Sequence, residues 1–298
     1  NKIMNESKHS VITGGSTNNI NNNSINSTIS NGYNNLIDGS SNNSFIGTGN
    51  HNRINNKSTH SIISCGYTNG ISLTQYGFIG NGTDCSLNNS DYSLIGNGNT
   101  NGMIDSSHCV ITNGVNNNII TSIGGFIGNG IDCSLNNSDY SGIIDGCSNK
   151  INNSTLSIIS GGNNNIIDGS SNNSFIGAGL NNKIMNESKH SVITGGSTNS
   201  IKEISKNSVV CSGINNNITN SNATIIGSGY NNDISGSKYS GIFSGKLNII
   251  DGSSDFSVIS GGNNNTIDNE SIQSVISGGN KNSIKESSIN SIVCSGDN

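Results

Sequence analysis

Histidine side chains offer the first candidates for metal or acid–base chemistry in this chain. His9, His60, His108 and His190 each stand one place before the same position of a sequence repeat described below. A metal-binding column would need histidines in adjacent repeats, and even the closest pair, His60 and His108, is three repeats apart. We therefore expect exposed turn residues at these positions and no metal site.

Aspartate pairs are the second possibility. Asp84, Asp91, Asp132 and Asp139 could supply the two carboxylates that flank the scissile bond in a glycosidase. Asp91 and Asp139 are again three repeats apart, and we expect no aromatic sugar platform beside them. The Gly-Gly pairs lack the Lys-Ser/Thr that completes a phosphate-binding loop. The sequence therefore favours a protein that is not an enzyme, with a carbohydrate-binding spike as an alternative.

Thiol chemistry is limited by the spacing of the seven cysteines. None forms a CxxC pair or a Cys/His cluster with the spacing of zinc ligands. Cys85 and Cys133 share a repeat position but lie three repeats apart, roughly 14 Å in a stack of strands, which is too far for a disulfide. We expect thiols that are free or paired between chains, and no cofactor.

Composition excludes several classes of function. The 298 residues include no Pro and no Trp, only 10% are charged, and the net charge is −5. Nucleic-acid binding would need a basic stripe, which is missing. No apolar run reaches transmembrane length, so we expect no membrane insertion.

A short sequence repeat tiles the chain from end to end. Its position zero, usually serine, recurs at Ser10, Ser27, Ser44, Ser61, Gly77, Ser93, Cys109, Gly125, Ser141, Ser157, Ser174, Ser191, Ser208, Thr224, Ser240, Ser257, Ser274 and Ser291. Position two is Ile or Val, position five is always Gly, position eight is Asn or Cys, and position ten is apolar. A second Ser, once Thr, precedes position zero by three places.

A unit of this length, roughly 16–17 residues, suits one coil of a parallel β-solenoid. We predict an all-β fold, a β-roll or β-helix of about 18 coils with two short strands per coil. We expect residues 1–298 to form a single continuous domain, as a segment of a longer chain or of an end-to-end fibre. Glycine at position five predicts a corner with positive φ.

Three columns of residues follow from this register. Isoleucine at position two is predicted to form the structural core, at Ile12, Ile29, Ile46, Ile63, Ile79, Ile95, Ile111, Ile127, Ile143, Ile159, Ile176 and Ile193. Asparagine at position eight is predicted to form a ladder in which side-chain amides link along the axis, at Asn18, Asn35, Asn52, Asn117, Asn165, Asn182, Asn199 and Asn216. Apolar residues at position one point the opposite way from position two and are predicted to form an assembly face, at Val11, Phe45, Ile62, Phe78, Leu94, Phe126 and Phe175. We expect this face to join copies of the chain, with a trimer as the simplest closed form.

The coil motif also carries a family resemblance. Ser-Val-Ile-x-Gly-Gly, with Ser-Phe-Ile-Gly at Ser44 and Ser174, resembles the Ser-Val-Ala-Ile-Gly coils of YadA-like heads in trimeric autotransporter adhesins. The coils are longer here and lack the intervening Ala. The motif is also similar to repeats in fibre or surface proteins of large DNA viruses. The resemblance implies a left-handed coil, trimeric assembly and a place on a cell or virion surface.

Besides the carbohydrate-binding spike named above, two functions are compatible with these features. The first is a structural, self-assembling fibre or surface-layer component. The alternative is an adhesin head that binds a glycan or protein on a host or neighbouring surface.

Overall fold

A computed structural model describes residues 1–297 of the protein. The described chain contains 36 short β-strands and no helix. It forms two compact units, residues 1–148 and residues from Asn149 onward. Each unit is a parallel β-solenoid with two strands per coil, and the units together contain about 18 coils. The predicted fold class is confirmed, whereas a single continuous domain stays a prediction.

The strand that begins at position one of each coil belongs to the front sheet, and the strand around position ten belongs to the back sheet. In unit 1 the front sheet contains β2 Val11–Ile12, β4 Thr28–Ile29, β6 Phe45–Ile46, β8 Ile62–Tyr67, β10 Phe78–Thr83, β12 Leu94–Asn99, β14 Val110–Val115, β16 Phe126–Ile131 and β18 Gly142–Cys147. Its back sheet contains β1 Lys2–Ile3, β3 Asn19–Ile20, β5 Leu36–Ile37, β7 Arg53–Asn55, β9 Gly70–Ser72, β11 Ser86–Asn88, β13 Gly102–Ile104, β15 Asn118–Ile120 and β17 Ser134–Asn136.

Unit 2 has the same arrangement. Its front sheet contains β20 Ile158–Ile159, β22 Phe175–Ile176, β24 Val192–Ile193, β26 Val209–Val210, β28 Ile225–Ile226, β30 Gly241–Ile242, β32 Val258–Ile259, β34 Val275–Ile276 and β36 Ile292–Val293. Its back sheet contains β19 Lys150–Asn152, β21 Ile166–Ile167, β23 Lys183–Ile184, β25 Ser200–Lys202, β27 Asn217–Thr219, β29 Asp233–Ser235, β31 Ile249–Ile250, β33 Thr266–Ile267 and β35 Ser283–Ile284.

Equivalent positions of successive coils lie opposite one another within each unit. Ile12 pairs with Ile29 in the front sheet of unit 1, and Ile201 pairs with Ile218 in the back sheet of unit 2. The register is kept from coil to coil, because a shift of one residue would turn the isoleucines outward. The variation in coil length is therefore absorbed in the turns.

The core of each unit is a thin double column of isoleucine. Of the twelve position-two isoleucines predicted for the core, eleven have no exposed surface. Ile12 is half-buried, because its strand β2 pairs on one side only. The position-ten residues form the second column, and burying each such side chain contributes about 1.5–3 kcal/mol.

Glycine at position five is required for two reasons, shown here at Gly196. Its φ of +90° lies in the region that side chains disfavour, as predicted for this position, although Gly82 and Gly130 do not adopt a positive φ. In addition, a Cβ atom there would overlap the carbonyl oxygen of Gly213 in the next coil and lie 2.6 Å from Asn199 Nδ2. The sequence register indicated the φ angle but not this close approach between coils.

We predict that Gly196→Ala lowers the free energy of unfolding by about 3 kcal/mol or more, because strain and backbone overlap act together. The matched control is Gly195→Ala, where the nearest atom to a new Cβ is the Ala178 carbonyl oxygen at 4.0 Å. The control should change stability by less than about 1 kcal/mol. Chemical denaturation followed by circular dichroism measures both, and equal effects would contradict this explanation of the corner.

Candidate structural ladders and assembly surface

The position-eight asparagines are buried and bind the coil that follows. Asn199 Nδ2 donates to the carbonyl oxygens of Gly195 in its own coil, at 3.0 Å, and Gly213 in the next, at 2.9 Å. Its Oδ1 accepts from the backbone N–H of Asn216 at 3.0 Å. All eight asparagines predicted for the ladder are fully buried. One buried side chain therefore binds three backbone groups at a half-buried corner.

The bonding pattern differs from the predicted one. Amide-to-amide bonds occur at only some steps, for example from Asn117 Nδ2 to Asn101 Oδ1 at 3.2 Å. The repeated bonds run from side chain to backbone instead. The Asn199 carboxamide lies within reach of the Gly195 and Gly213 carbonyl oxygens and of the Asn216 N–H, and bonds to these backbone groups are favoured over a bond to the neighbouring amide.

Both serine columns form ladders of the same kind. Ser27, at position zero, accepts from the backbone N–H of Ser44 at 3.3 Å and donates to the Ser41 carbonyl at 3.0 Å. Ser24, three places earlier, accepts from the backbone N–H of Ser41 at 3.2 Å. These serines are buried. The inward polar side chains thus bind both their own coil and the next one, for example Ser27 to the carbonyl oxygens of Ile25 and Ser41.

Cysteine replaces ladder residues at a few steps. Cys85 stands at position eight, where its thiol lies 3.6 Å from the Gly98 carbonyl oxygen. Burial raises the pKa of the Cys85 thiol, and it also raises the pKa of the Cys109 thiol at position zero. Both thiols are therefore held in their neutral form, as weak donors inside the stack. Cys65, Cys147 and Cys211 are half-buried, Cys294 is exposed, and none of these six residues forms a disulfide.

The outer surface of the front sheet, here the front face, is formed by positions one and three. Position one holds Val11, Thr28, Phe45, Ile62, Phe78, Leu94, Val110, Phe126, Gly142, Ile158, Phe175, Val192, Val209, Ile225, Gly241, Val258, Val275 and Ile292. Position three holds Thr13, Ser30, Gly47, Ser64, Gly80, Gly96, Thr112, Gly128, Ile144, Ser160, Gly177, Thr194, Cys211, Gly227, Phe243, Ser260, Ser277 and Cys294.

The residues predicted for an assembly face do point outward. Four of them, Val11, Phe45, Ile62 and Phe126, are 37–46% exposed. The other three, Phe78, Leu94 and Phe175, are half-buried.

On the front face, a Phe side chain at one of the two outward positions is accompanied by glycine at the other. Phe at position one always has Gly at position three, and the Phe45 ring lies 3.2 Å from the point where a Cβ on Gly47 would stand. The order is reversed at Gly241 and Phe243, where the ring instead lies 3.6 Å from a Cβ on Gly241. The Phe rings therefore lie over the neighbouring glycines of the same strand.

The outer surface of the back sheet has a different character. It carries charged residues such as Arg53 in unit 1 and Lys183, Lys202 and Asp233 in unit 2. Burial raises the pKa of the Asp233 carboxyl, while a 2.7 Å hydrogen bond from Asn217 Nδ2 opposes the shift. This surface is suited to contact with water.

An aromatic stack occupies one corner of unit 1. The rings of His60, Tyr76, Tyr92 and His108 follow one another at 4.9, 4.9 and 5.0 Å between centroids, with interplanar angles of 13–18°. Tyr92, beside Asp91, belongs to this stack, but both of its ring faces are covered by neighbouring rings, so the expectation that no aromatic sugar platform accompanies the aspartates stays a prediction. Histidine and tyrosine would have to be counted as one aromatic class at this position for the sequence to reveal the stack.

The candidate aspartates and the other histidines are not brought together. Asp91 Oδ1 accepts from the backbone N–H of Gln75 at 2.6 Å, and Asp139 Oδ1 accepts from that of Ile123 at 2.8 Å. These carboxylates therefore stabilise turns in separate coils. His9 and His190 are exposed at their own corners.

Comparison with known proteins adds no family assignment. No protein-family model matches the chain, and no curated protein matches it. Among residues 1–297, no group of three or more His, Cys, Asp or Glu side chains is placed to hold a metal ion. The same residues include no helix able to cross a membrane.

We predict that Asn265→Asp destabilises the fold by about 3 kcal/mol or more, because a carboxylate cannot donate to the carbonyls of Gly261 and Gly279 that Asn265 Nδ2 now binds. Asn264→Asp is the control. This neighbour is exposed, and Asp84 and Asp132 already occupy the equivalent position. Thermal unfolding at neutral pH compares the two variants, and similar midpoints would contradict the role of the ladder.

Proposed function

We propose that the protein is a structural component that assembles with itself into a fibre or surface layer. The observation that supports this most directly is the use of the buried Ser and Asn side chains. They bind the following coil, step after step, in both units. In such a chain the repeated polar side chains hold one coil to the next. This arrangement suits an extended structural protein better than an enzyme with a single reaction centre.

Sequence duplication supports the same role. Residues 1–20 recur as residues 182–201 with a single difference, Asn19 against Ser200. Duplication of whole coils adds further coils to the solenoid and repeats the same surface residues. The resemblance of the coil motif to YadA-like heads and to viral fibre repeats supports a place outside the cell or on a virion.

Electron microscopy of the purified protein tests this function. We expect filaments or sheets many molecules in extent at micromolar concentrations. Disordered aggregates are distinguished by the absence of a regular repeat in image averages. Discrete particles of fixed size at all concentrations would contradict a structural assembly.

A second candidate function, an adhesin head, is favoured by the aromatic stack. Tyr76 is 46% and Tyr92 is 54% exposed. Because each of these rings is covered on both faces, their edges and hydroxyl groups are what a glycan or protein could contact.

A glycan array tests this second candidate with the double variant Tyr76→Asn/Tyr92→Asn. Asparagine stands at the same position in the coils of Asn26 and Asn43, so the fold should tolerate it. We expect binding by the wild-type chain and a loss of at least tenfold in the variant. Tyr230→Asn, at a different corner, is the control and should bind as wild type. No binding by the wild type would count against an adhesin that recognises glycans.

A further inference from the structure

We infer that the front face binds the front face of a second copy of this chain, as a two-fold pair packed sheet on sheet. This inference rests on the proposed self-assembly and names the surface, the partner and the stoichiometry. It replaces the trimer expected from the sequence with a pair.

The absence of charge is the first argument. Positions one and three of the front sheet contain no Asp, Glu, Lys, Arg or His in any coil. Charged residues make up 10% of the chain, and the back sheet carries several on its outer surface, including Arg53, Lys183 and Asp233. An outward, largely apolar surface without charge, repeated in every coil of both units, is typical of a surface that is covered in the assembled protein.

The pairing of large with small side chains also favours a covered face. Phe45 lies over Gly47 and, in the reverse order, Phe243 lies over Gly241. Folding of a single chain does not require such a balance of side-chain volumes on its outer surface. Two sheets that pack face to face do require it, because they lie about 10 Å apart with their side chains in contact along the whole length.

The repeat spacing and the area indicate which partner fits. A second copy carries the same rows about 4.8 Å apart, so the rows of two copies can stay in step over many coils. A charged partner such as a nucleic acid or an acidic polysaccharide would find no opposite charge on this face. Nine coils with a strip about 10 Å wide give each unit about 400 Å². The front face of each unit is therefore of the size of the apolar patches that mark interaction sites on protein surfaces.

The number of copies follows from symmetry. A closed ring of three requires two different patches on each chain, one for each neighbour, whereas a two-fold pair uses one self-complementary patch. The front face is one such patch, and the back sheet offers a charged surface instead. A pair is therefore the closed form that covers the uncharged surface of each chain.

The test compares two double variants that place the same charges on opposite sheets. Val258→Lys/Val275→Lys puts two lysines at position one of adjacent coils. Thr266→Lys/Ser283→Lys puts two lysines in adjacent coils of the back sheet, which already carries Lys183. All four side chains are outward and at least partly exposed, so circular dichroism melting should show that both variants fold.

Sedimentation equilibrium over a range of concentrations reports the mass of the smallest assembled species. We expect twice the chain mass of 30.7 kDa for the wild type and for Thr266→Lys/Ser283→Lys, and the single-chain mass for Val258→Lys/Val275→Lys. If the lysine pair at position one prevents folding, Val258→Ser/Val275→Ser replaces it and should raise the dissociation constant at least tenfold. A wild-type species of three chains, or front-face variants that associate as the wild type does, would overturn the inference.

The outcomes separate this inference from the proposed function. If the protein forms pairs but never filaments or sheets, the proposed fibre or surface layer is rejected and the front-face pair is supported. If Val258→Lys/Val275→Lys still forms filaments, the structural role is supported, but the front face is rejected as the contact between copies.

Discussion

Burial of corner backbone groups is the constraint on which the structure depends. Each short coil has room inside for two isoleucine columns, and the Ser and Asn residues beside these columns are buried together with their backbone N–H groups. The N–H and carbonyl groups there need partners, because an unpaired buried group costs about 1–3 kcal/mol. Ser24, Ser27 and Asn35 supply those partners in one coil, and their equivalents do so in the others.

Several other features follow from these ladders. Glycine is needed at position five because the ladder asparagine and the next coil's carbonyl both approach its α-carbon, as at Gly196. Residues in the left-handed conformation recur at the turns, for example Asn264 at φ 58° and His60 at φ 55°. Asparagine adopts this conformation more readily than most residues, which accounts for part of the Asn-rich composition. The outer surfaces do not share the constraint, so the front and back sheets can differ in charge.

Much of this architecture could be predicted from periodicity alone. The strict placement of Ile and Gly predicted the strands, the corners and the buried column, because every coil tests the same register. The acceptors of the Asn199 side chain could not be predicted, since they depend on which carbonyl oxygens the folded corner brings within its reach. The stack of Tyr76 on Tyr92 was missed because histidine and tyrosine were considered separately. The pairing of Phe243 with Gly241 could be predicted only by comparing positions one and three of the same coil.

Residue-resolved amide hydrogen exchange tests the central role of the ladders most directly. Backbone N–H groups that donate to a ladder side chain, such as those of Asn117 and Ser44, should exchange slowly. Ser93 follows a coil with Gly77 at the ladder position, which offers no side-chain acceptor. We predict that the Ser93 amide exchanges at least tenfold faster than those of Asn117 and Ser44. Equal protection at all three positions would contradict the role of the ladders.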